Sequence, residues 1–322
     1  MNFIYLMKSI SISFLNLQFY NLNQMRPKHF LNFENFSKQD LSHIIDRAIE
    51  IKSKSETSNL FDKKTLGLIF QKPSTRTRVS FEVAMNKLGG NTIFLSSSEL
   101  QMSRGEPISD TSKVLSSMVD AVVIRNDSHE ELKPFSENSS IPVINGLTDL
   151  FHPCQILADL MTFKEKNEGE ILNKVCWIGD GNNVCNSYIE AASIFDFEIS
   201  IFCPKGCEPY QPLLNKAKDF ITLASSKNEA LEKAQIVTTD VWTSMNNETS
   251  AKERRKTFKN FFVEEEDMDL ADDNAIFLHC LPAHRGEEIS FTMLEHAQSM
   301  VWDQAENRLH AQQSLLEFLL AD

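Results

Sequence analysis

The residues best suited to chemistry are the hydroxyls and guanidinium groups of the stretch Lys72–Arg78, KPSTRTR. An apolar run at 65–70 precedes it, and a helical pattern with Val79, Val83 and Leu88 on one face comes after it. The cluster is therefore predicted at a helix N-terminus, where unpaired N–H groups and the helix dipole favour an anion. Arginine adds a planar fork that matches phosphate oxygens. A capped basic surface helix is the alternative, but cations suit the other helix end, so the pattern predicts a phosphate site.

A second candidate pair is His152 and Gln155, at the start of a predicted helix that runs to about residue 166. Residues three apart project from the same side of a helix at its first turn. A histidine alone at this place usually caps the helix. Together with a glutamine amide, it could instead donate hydrogen bonds to the oxygen and nitrogen of a carbamoyl group.

Polar side chains also stand where several apolar runs end. The runs predicted as strands are 91–95, 121–125, 141–144, 174–178, 198–202, 236–239 and 275–279. Polar residues at or just after their ends are Arg125, Asp180, Asn183, Asp240, His279 and Cys280. Alternating strands and amphipathic helices from about residue 36 predict a parallel α/β sheet, in which ligands bind beyond the carboxyl ends of strands. Short polar residues also cap helices there, so a structural role remains open.

The chain is acidic as a whole, with 322 residues, a net charge of −13 and an isoelectric point near 5.1. Such a protein repels phosphates and nucleic acid on average, so no nucleic-acid partner is expected and an anionic substrate needs a local positive pocket. The length predicts about two domains. Most of the six cysteines lie in apolar runs, as in reduced cytoplasmic proteins. Cys203 and Cys207 have no second ligand pair nearby, so no structural zinc is expected.

The N-terminal segment is rich in Phe, Ile, Leu and Asn and joins poorly to the rest of the chain. Its only early cation is Lys8, and Asn16 and Gln18 interrupt the apolar run, which argues against a signal peptide and against a membrane span of roughly 20 residues. We expect residues 1–27 to form an extension outside the fold, with the true start at Met25.

Five motifs, in order and spacing, resemble the signatures of the ornithine carbamoyltransferases, within the aspartate/ornithine carbamoyltransferase superfamily. They are STRTR at 74–78, HPCQ at 152–155, DVWTSM at 240–245, HCLP at 279–282 and DQAENR at 303–308. The resemblance implies an α/β fold with two doubly wound parallel-sheet domains of similar size. It implies a carbamoyl phosphate domain at 28–155, an ornithine domain at 156–304 and a C-terminal helix, 305–322, that returns to the N-terminal domain. It also implies a homotrimer.

Site residues are implied by the same resemblance. Carbamoyl phosphate is expected to bind Ser74, Thr75, Arg76, Thr77, Arg125, His152, Pro153, Cys154, Gln155, Cys280, Leu281 and Arg308, with Gln101 lent to the neighbouring subunit's site. Ornithine is expected to bind Asn183, Asp240, Ser244 and Met245. The expected catalytic residues are Arg125, His152, Asp240, Cys280 and Arg308.

The implied reaction is attack of the δ-amine of ornithine on the carbamoyl carbon, which gives citrulline and phosphate in arginine biosynthesis. Fixed donors to the developing oxyanion could each lower the barrier by about 3 kcal/mol. Guanidinium groups can neutralise the leaving phosphate, so neither a metal nor a cofactor is expected. An alkyl ammonium with a pKa of about 10.4 must first lose its proton. Asp240 and Cys280 are the candidates to orient it or to assist.

Other functions fit the sequence less well. The sequence IGDGNN at 178–183 lacks the third glycine and the spacing of a dinucleotide fingerprint, which disfavours an oxidoreductase. A scaffold that has lost catalysis is expected to lack Arg76, His152, Asp240 or Arg308, yet all four are present. A related amine (aspartate, N-acetylornithine or putrescine) remains an alternative substrate, and the direction of the reaction stays open.

Overall fold

The computed structural model describes residues 29–97, 100–243 and 248–321. The expected extension at 1–27 and the expected ornithine residues Ser244 and Met245 lie outside the described residues. Among the residues that are described, no helix has the length and apolar character needed to cross a membrane.

Two sheets of five parallel strands organise the molecule. The first contains β1 (His29–Phe30), β2 (Thr65–Phe70), β3 (Asn91–Ser96), β4 (Ala121–Arg125) and β5 (Val143–Leu147), in the order β1-β5-β4-β2-β3. The second contains β6 (Lys174–Ile178), β7 (Glu198–Phe202), β8 (Ile221–Leu223), β9 (Ile236–Thr239) and β10 (Ile276–His279), in the order β10-β9-β6-β7-β8. The direction of winding reverses between β2 and β4 and between β6 and β9, which opens a crevice at the carboxyl ends of each pair.

Helices connect the strands. They are α1 (Lys38–Lys54), α2 (Thr75–Lys87), α3 (Ile108–Ser116), α4 (Leu132–Glu137), α5 (Pro153–Lys166), α6 (Asn183–Phe195), α7 (Gln211–Lys216), α8 (Lys227–Leu231), α9 (Glu248–Phe258) and α10 (Val301–Leu320). Short 3-10 helices lie at Gln101–Arg104, Lys218–Phe220, Glu265–Leu270 and Met293–Glu295. The last helix, α10, packs against α1, α2 and α5. The predicted fold class, including the returning C-terminal helix, is confirmed, whereas the domain boundaries stay a prediction.

Strand register brings the candidate residues to common edges. Phe70, which precedes the KPSTRTR stretch, pairs with Arg125 across β2 and β4. His279 pairs with Thr239, which precedes Asp240, across β9 and β10. Parallel strands end on the same side, so each sheet presents its candidate side chains at one edge.

The predicted apolar face of α2 is wrong. Leu88 is buried, but Val79 and Val83 are 50% and 37% exposed. The buried side of the helix instead carries Phe81 and Met85, with Thr77, Ser80 and Ala84 between them. Thr77 on the buried side faces α10, where its hydroxyl accepts a hydrogen bond from Arg308, and the side with the two valines is turned outward.

One buried carboxylate links helix α6 to the segment that comes after β1. Oε2 of Glu190, in α6, accepts a hydrogen bond from the backbone N–H of Phe33 at 3.2 Å, and burial raises the pKa of Glu190 to about 8. Below pH 4.5 this carboxyl is protonated in both folded and unfolded chains. As the pH rises towards 8, the unfolded chain ionises first, so the native state loses relative stability. We expect Glu190→Gln, which keeps an acceptor, to raise the free energy of unfolding by about 3 kcal/mol at about pH 8.5.

Denaturant unfolding at two pH values checks this. At about pH 5 the gain is expected to shrink below about 1 kcal/mol, since little of the ionisation difference has developed there. The control is Glu34→Gln, which removes an exposed ion pair with Lys216 and is expected to change stability by less than about 1 kcal/mol. An equal gain at both pH values would contradict the assignment.

Candidate active site

The KPSTRTR stretch enters helix α2 as the sequence predicts. Ser74 is the N-cap residue with extended backbone, but its side chain makes no capping hydrogen bond. Its hydroxyl instead accepts a hydrogen bond from Nη1 of Arg125 at 3.2 Å. Thr75 is exposed in the first turn and Thr77 is buried. The first turn therefore keeps free N–H groups beside hydroxyls and a guanidinium group, which suits an anion.

Three arginines from different elements converge here. Arg308, in α10, donates from Nη1 to Oε1 of Gln155 at 2.7 Å and from Nη2 to Oγ1 of Thr77 at 3.2 Å. Arg76 reaches the second sheet, where its Nη2 donates to the carbonyl oxygen of Leu281. Burial and the charge of Arg76 lower the pKa of Arg125, and burial lowers the pKa of Arg308. Repulsion among buried cations makes this place favourable for an anion.

His152 lies immediately before α5 and is buried. Its backbone N–H donates to Oγ of Ser187 at 2.8 Å. Burial, and then the charges of Arg308, Arg125 and Arg76, lower the pKa of His152 well below its usual value. The imidazole is therefore neutral near pH 7 and acts as a hydrogen-bonding group rather than as a cation.

Several buried polar atoms of this cluster make no hydrogen bond to the described residues. Within the described part of the chain, Nδ1 of His152, Nε of Arg125 and Nε of Arg308 are buried without a hydrogen bond. Buried polar atoms of native proteins are nearly always paired. A polar, anionic ligand bound among these groups would satisfy them.

A second cluster lies at the carboxyl ends of β9 and β10. Oδ1 of Asp240 accepts hydrogen bonds from Sγ of Cys280 at 3.1 Å and from N of Val241 at 2.8 Å. Oδ2 accepts one from Nδ2 of Asn182 at 2.7 Å. Burial and the Asp240 charge raise the pKa of Cys280 well above its usual value. The thiol is thus a hydrogen-bond donor to Asp240, not a thiolate nucleophile.

Leu281 joins the two clusters. Its φ of 55° lies in the left-handed region, which a branched side chain rarely adopts. Its N–H donates to Nδ1 of His279 at 2.9 Å, while its carbonyl oxygen receives Arg76. Nε2 of His279 lies 3.3 Å from Oε1 of the buried Glu288. The strained backbone is therefore held from both sides.

Other predicted residues are placed less centrally. Nδ2 of Asn183 donates to the carbonyl oxygen of Thr148 at 2.6 Å, which leaves its oxygen available to an amine. Pro153 and Cys154 are buried, and burial raises the pKa of Cys154 to about 12. Gln101 lies in the 3-10 helix that comes after β3, and its side chain is exposed.

Sequence reasoning missed some residues that build the site. Asn182 both caps α6, through bonds from N of Val184 and Cys185, and donates to Asp240. Arg254 lies in α9, and it donates to Asp180 and to the carbonyl oxygen of Trp242. The adjacent asparagines at 182 and 183 are a helix-cap signal that could have revealed the first.

Within the part of the chain that the structure describes, two groups of side chains have the ligand atoms of a cation site. Asp240, His279 and Cys280 form one, and His284, Glu287 and Glu288 form the other, each with ligand atoms within 4.8 Å of one another. In both, some of these side chains already hydrogen-bond to neighbouring protein groups. The expectation that the reaction needs no metal stays a prediction.

Known proteins match this architecture along nearly the whole chain. Residues 28–165 match the carbamoyl-P binding domain of aspartate/ornithine carbamoyltransferases, and residues 173–319 match the Asp/Orn binding domain. A protein of Pseudomonas syringae pv. tomato named ornithine carbamoyltransferase is 50% identical over 301 residues, covering 92% of this chain and 98% of the relative. A relative from Pseudomonas savastanoi pv. phaseolicola, named anabolic, is also 50% identical, with the same coverage.

A solved structure is similar as well. The anabolic ornithine carbamoyltransferase of Campylobacter jejuni superposes with a TM-score of 0.85 at 43% identity. The match covers 91% of this chain and 99% of that one. The fold, with both of its sheets, is therefore shared with an enzyme of that name.

Proposed function

The chain belongs to the aspartate/ornithine carbamoyltransferase family, and from that premise we propose that it transfers the carbamoyl group of carbamoyl phosphate to the δ-amine of L-ornithine. The products are L-citrulline and phosphate. The observation that carries the proposal is the meeting of Arg76, Arg125 and Arg308 beside Gln155, with the Asp240–Cys280 pair joined to them through Leu281.

The phosphate group binds at the start of α2. Ser74, Thr75 and Thr77 supply hydroxyls and N–H groups, and Arg76 and Arg125 supply charge. Guanidinium groups hold phosphate oxygens two at a time and stabilise the charge that the leaving phosphate gains. Its own oxygens accept the proton that the attacking amine releases.

The carbamoyl group lies among His152, Gln155, Arg308 and the backbone at Cys280 and Leu281. Its carbonyl oxygen becomes an oxyanion when the amine attacks. The Arg308 guanidinium is fixed before the reaction by Gln155 and Thr77, and the backbone of the neutral His152 is held by Ser187, so these donors stabilise that charge with little reorganisation. Removing one such donor typically costs about 3 kcal/mol.

Ornithine binds at the second cluster. The Asp240 carboxylate attracts an ammonium group, and the free amide oxygen of Asn183 accepts a further N–H. Ser244 and Met245 complete this half, although they lie outside the described residues. The Cys280 thiol, kept protonated, orients Asp240 rather than removing the proton itself. Arginine biosynthesis is the direction we favour, since relatives named anabolic are among the matches.

The active assembly is a homotrimer. An apolar surface, formed by Val79 and Val83 of α2 with Ile93 and Phe94 of β3, is exposed at the edge of the first sheet. Exposed apolar surface on an edge strand marks a place for another chain. Gln101 lies after the same strand, so a neighbour that covers this surface would receive Gln101 in its site.

Val83→Glu is expected to convert the trimer to monomers, because a charge would be buried without a partner. Light scattering after size-exclusion chromatography measures this. Gln101→Ala is expected to keep the trimer yet lower kcat by at least about tenfold. Ile171→Glu, at a residue that is 76% exposed near the start of the second sheet, is the control and is expected to change neither. A trimer that survives Val83→Glu would contradict the interface.

The proposal also includes the domain limits and a cytoplasmic location. The N-terminal domain spans 28–155, the C-terminal domain spans 156–304, and 305–322 returns to the N-terminal domain. The free thiols of the six cysteines fit a reducing compartment. The acidic net charge leaves nucleic acid an unfavourable partner.

Citrulline formation tests the function. The full chain is supplied with carbamoyl phosphate and, in parallel, ornithine, aspartate, N-acetylornithine or putrescine. We expect carbamoylation of ornithine alone. Activity only with another amine would reject the ornithine assignment and keep the phosphate half, whereas no activity with any amine would favour an inactive scaffold.

A further inference from the structure

Asp159 is a buried carboxylate in α5, one helical turn after Gln155, with 1% of its surface exposed. Its Oδ1 accepts hydrogen bonds from Nε2 of Gln155 at 2.9 Å and from Nε2 of Gln304 at 2.6 Å. Its Oδ2 accepts one from the Tyr188 hydroxyl at 2.7 Å. The three donors lie on α5, α10 and α6. One carboxylate thus links three helices.

The first consequence concerns Gln155. A carboxylate can only accept, so Gln155 must turn its NH₂ group towards Asp159 and its oxygen away. That oxygen accepts the 2.7 Å bond from Nη1 of Arg308. If the amide were reversed, its NH₂ would face the guanidinium group, two donors would oppose each other, and Arg308 would lose its anchor.

The second consequence concerns Gln304, whose NH₂ group is fixed in the same way. Its oxygen accepts the backbone N–H of His279 at 3.0 Å. His279 precedes Cys280 and holds the N–H of Leu281. The orientation of the Gln304 amide therefore helps to fix the backbone of His279, on the other side of the carbamoyl pocket.

We propose that Asp159 is a positioning residue for carbamoyl transfer: by accepting from both glutamine amides it holds Arg308 and the His279–Leu281 backbone in the geometry that receives the carbamoyl group. This rests on the proposed function. Asp159 does not touch the substrate. It acts through Gln155 and Gln304, so its effect falls on kcat and depends on whether those amides are present.

Two substitutions at this position separate orientation from charge. Asp159→Asn keeps the volume, and its oxygen can accept from both amides while its NH₂ donates to the Tyr188 oxygen. It is expected to retain at least about a tenth of wild-type kcat. Asp159→Leu removes every acceptor and frees both amides. Its kcat is expected to fall by about 100-fold, with KM for ornithine within about threefold.

A double-mutant cycle tests whether Gln155 carries the effect. In a Gln155→Leu background, Asp159→Leu is expected to lower kcat by only about tenfold further, because the bond to Gln304 is still lost while the effect through Gln155 is already absent. Tyr188→Phe is the matched control, because it removes a bond to the same carboxylate without touching either amide. It is expected to lower thermal stability while kcat stays within about threefold.

Three results would overturn the proposal. The first is a folded Asp159→Leu variant with near-normal kcat, and the second is a fall in kcat on Asp159→Leu that is as large in the Gln155→Leu background as in the wild type. The third is a fall in kcat in Tyr188→Phe as large as in Asp159→Leu. If Asp159→Leu does not fold, Gln304→Leu replaces it. That variant is expected to lower kcat at least about tenfold, and a loss below about threefold would reject the proposal. All values are relative to citrulline formation by the wild type. An inactive wild type would reject the proposed function. An active wild type whose variants keep normal kcat would reject only the role of Asp159.

Discussion

Arg76→Met is expected to lower kcat/KM for carbamoyl phosphate by about 10³-fold. The arginine stands in the first turn of α2, and among the described residues its side chain donates to the carbonyl oxygen of Leu281, so most of its donors are free for phosphate. Two charge-assisted hydrogen bonds contribute about 2 kcal/mol each, and about 4 kcal/mol corresponds to this factor. Methionine also leaves the Leu281 carbonyl without its donor from the first sheet.

Initial-rate kinetics with carbamoyl phosphate varied at saturating ornithine measure the effect. Arg78→Met is the matched control, since Arg78 has the same charge on the same helix. Its guanidinium group is engaged with Glu82 at 2.9 Å and lies over the Phe94 ring. The fall in kcat/KM of Arg78→Met is expected to stay below about tenfold. Equal losses in both variants would mean that general charge, rather than a phosphate contact, is responsible.

Asp240→Asn is expected to lower kcat/KM for ornithine by about 10³-fold while KM for carbamoyl phosphate stays within about threefold. The substitution removes the charge that attracts the ammonium group. It also opposes an NH₂ group either to Nδ2 of Asn182, which caps α6 and cannot reverse without losing that cap, or to the N–H of Val241. Lost charge and a displaced helix start together account for about 4 kcal/mol.

The comparison for this prediction is Cys280→Ser. A serine hydroxyl still donates to Asp240, so the carboxylate keeps its orientation. The loss is expected to stay within about tenfold, because the thiol is a donor rather than a base. A loss as large as in Asp240→Asn would show that the sulfur itself takes part in the chemistry.

Local patterns predicted where the candidate residues of each half of the site lie in the fold. The KPSTRTR stretch and the HPCQ turn lie at helix starts, where the residues that act together are close in the chain. Alternating strands and helices predicted parallel sheets, because this alternation is also a local pattern in the sequence. Spacing carries this information because a helix turn or a strand end fixes which neighbours share a face.

Local patterns could not predict contacts between residues that lie far apart in the sequence. Arg308 reaches Thr77 and Gln155 only because α10 returns to the first sheet. The exposed side of α2 was mispredicted for a related reason: apolar periodicity identifies a face of the helix, but does not show whether the core of this chain covers that face. Asp159, a charge within the apolar stretch ILADLM, was the available signal for a buried network.

Binding of a bisubstrate analogue, in which an acetyl group joins a phosphonate to the δ-nitrogen of ornithine, tests the central claim most directly. Isothermal titration of the full chain is expected to give one site per chain, with affinity far above that of ornithine alone and competition by carbamoyl phosphate. Both Arg76→Met and Asp240→Asn are expected to weaken it. An analogue that binds no better than ornithine, or that ignores either substitution, would contradict a single site built from both clusters.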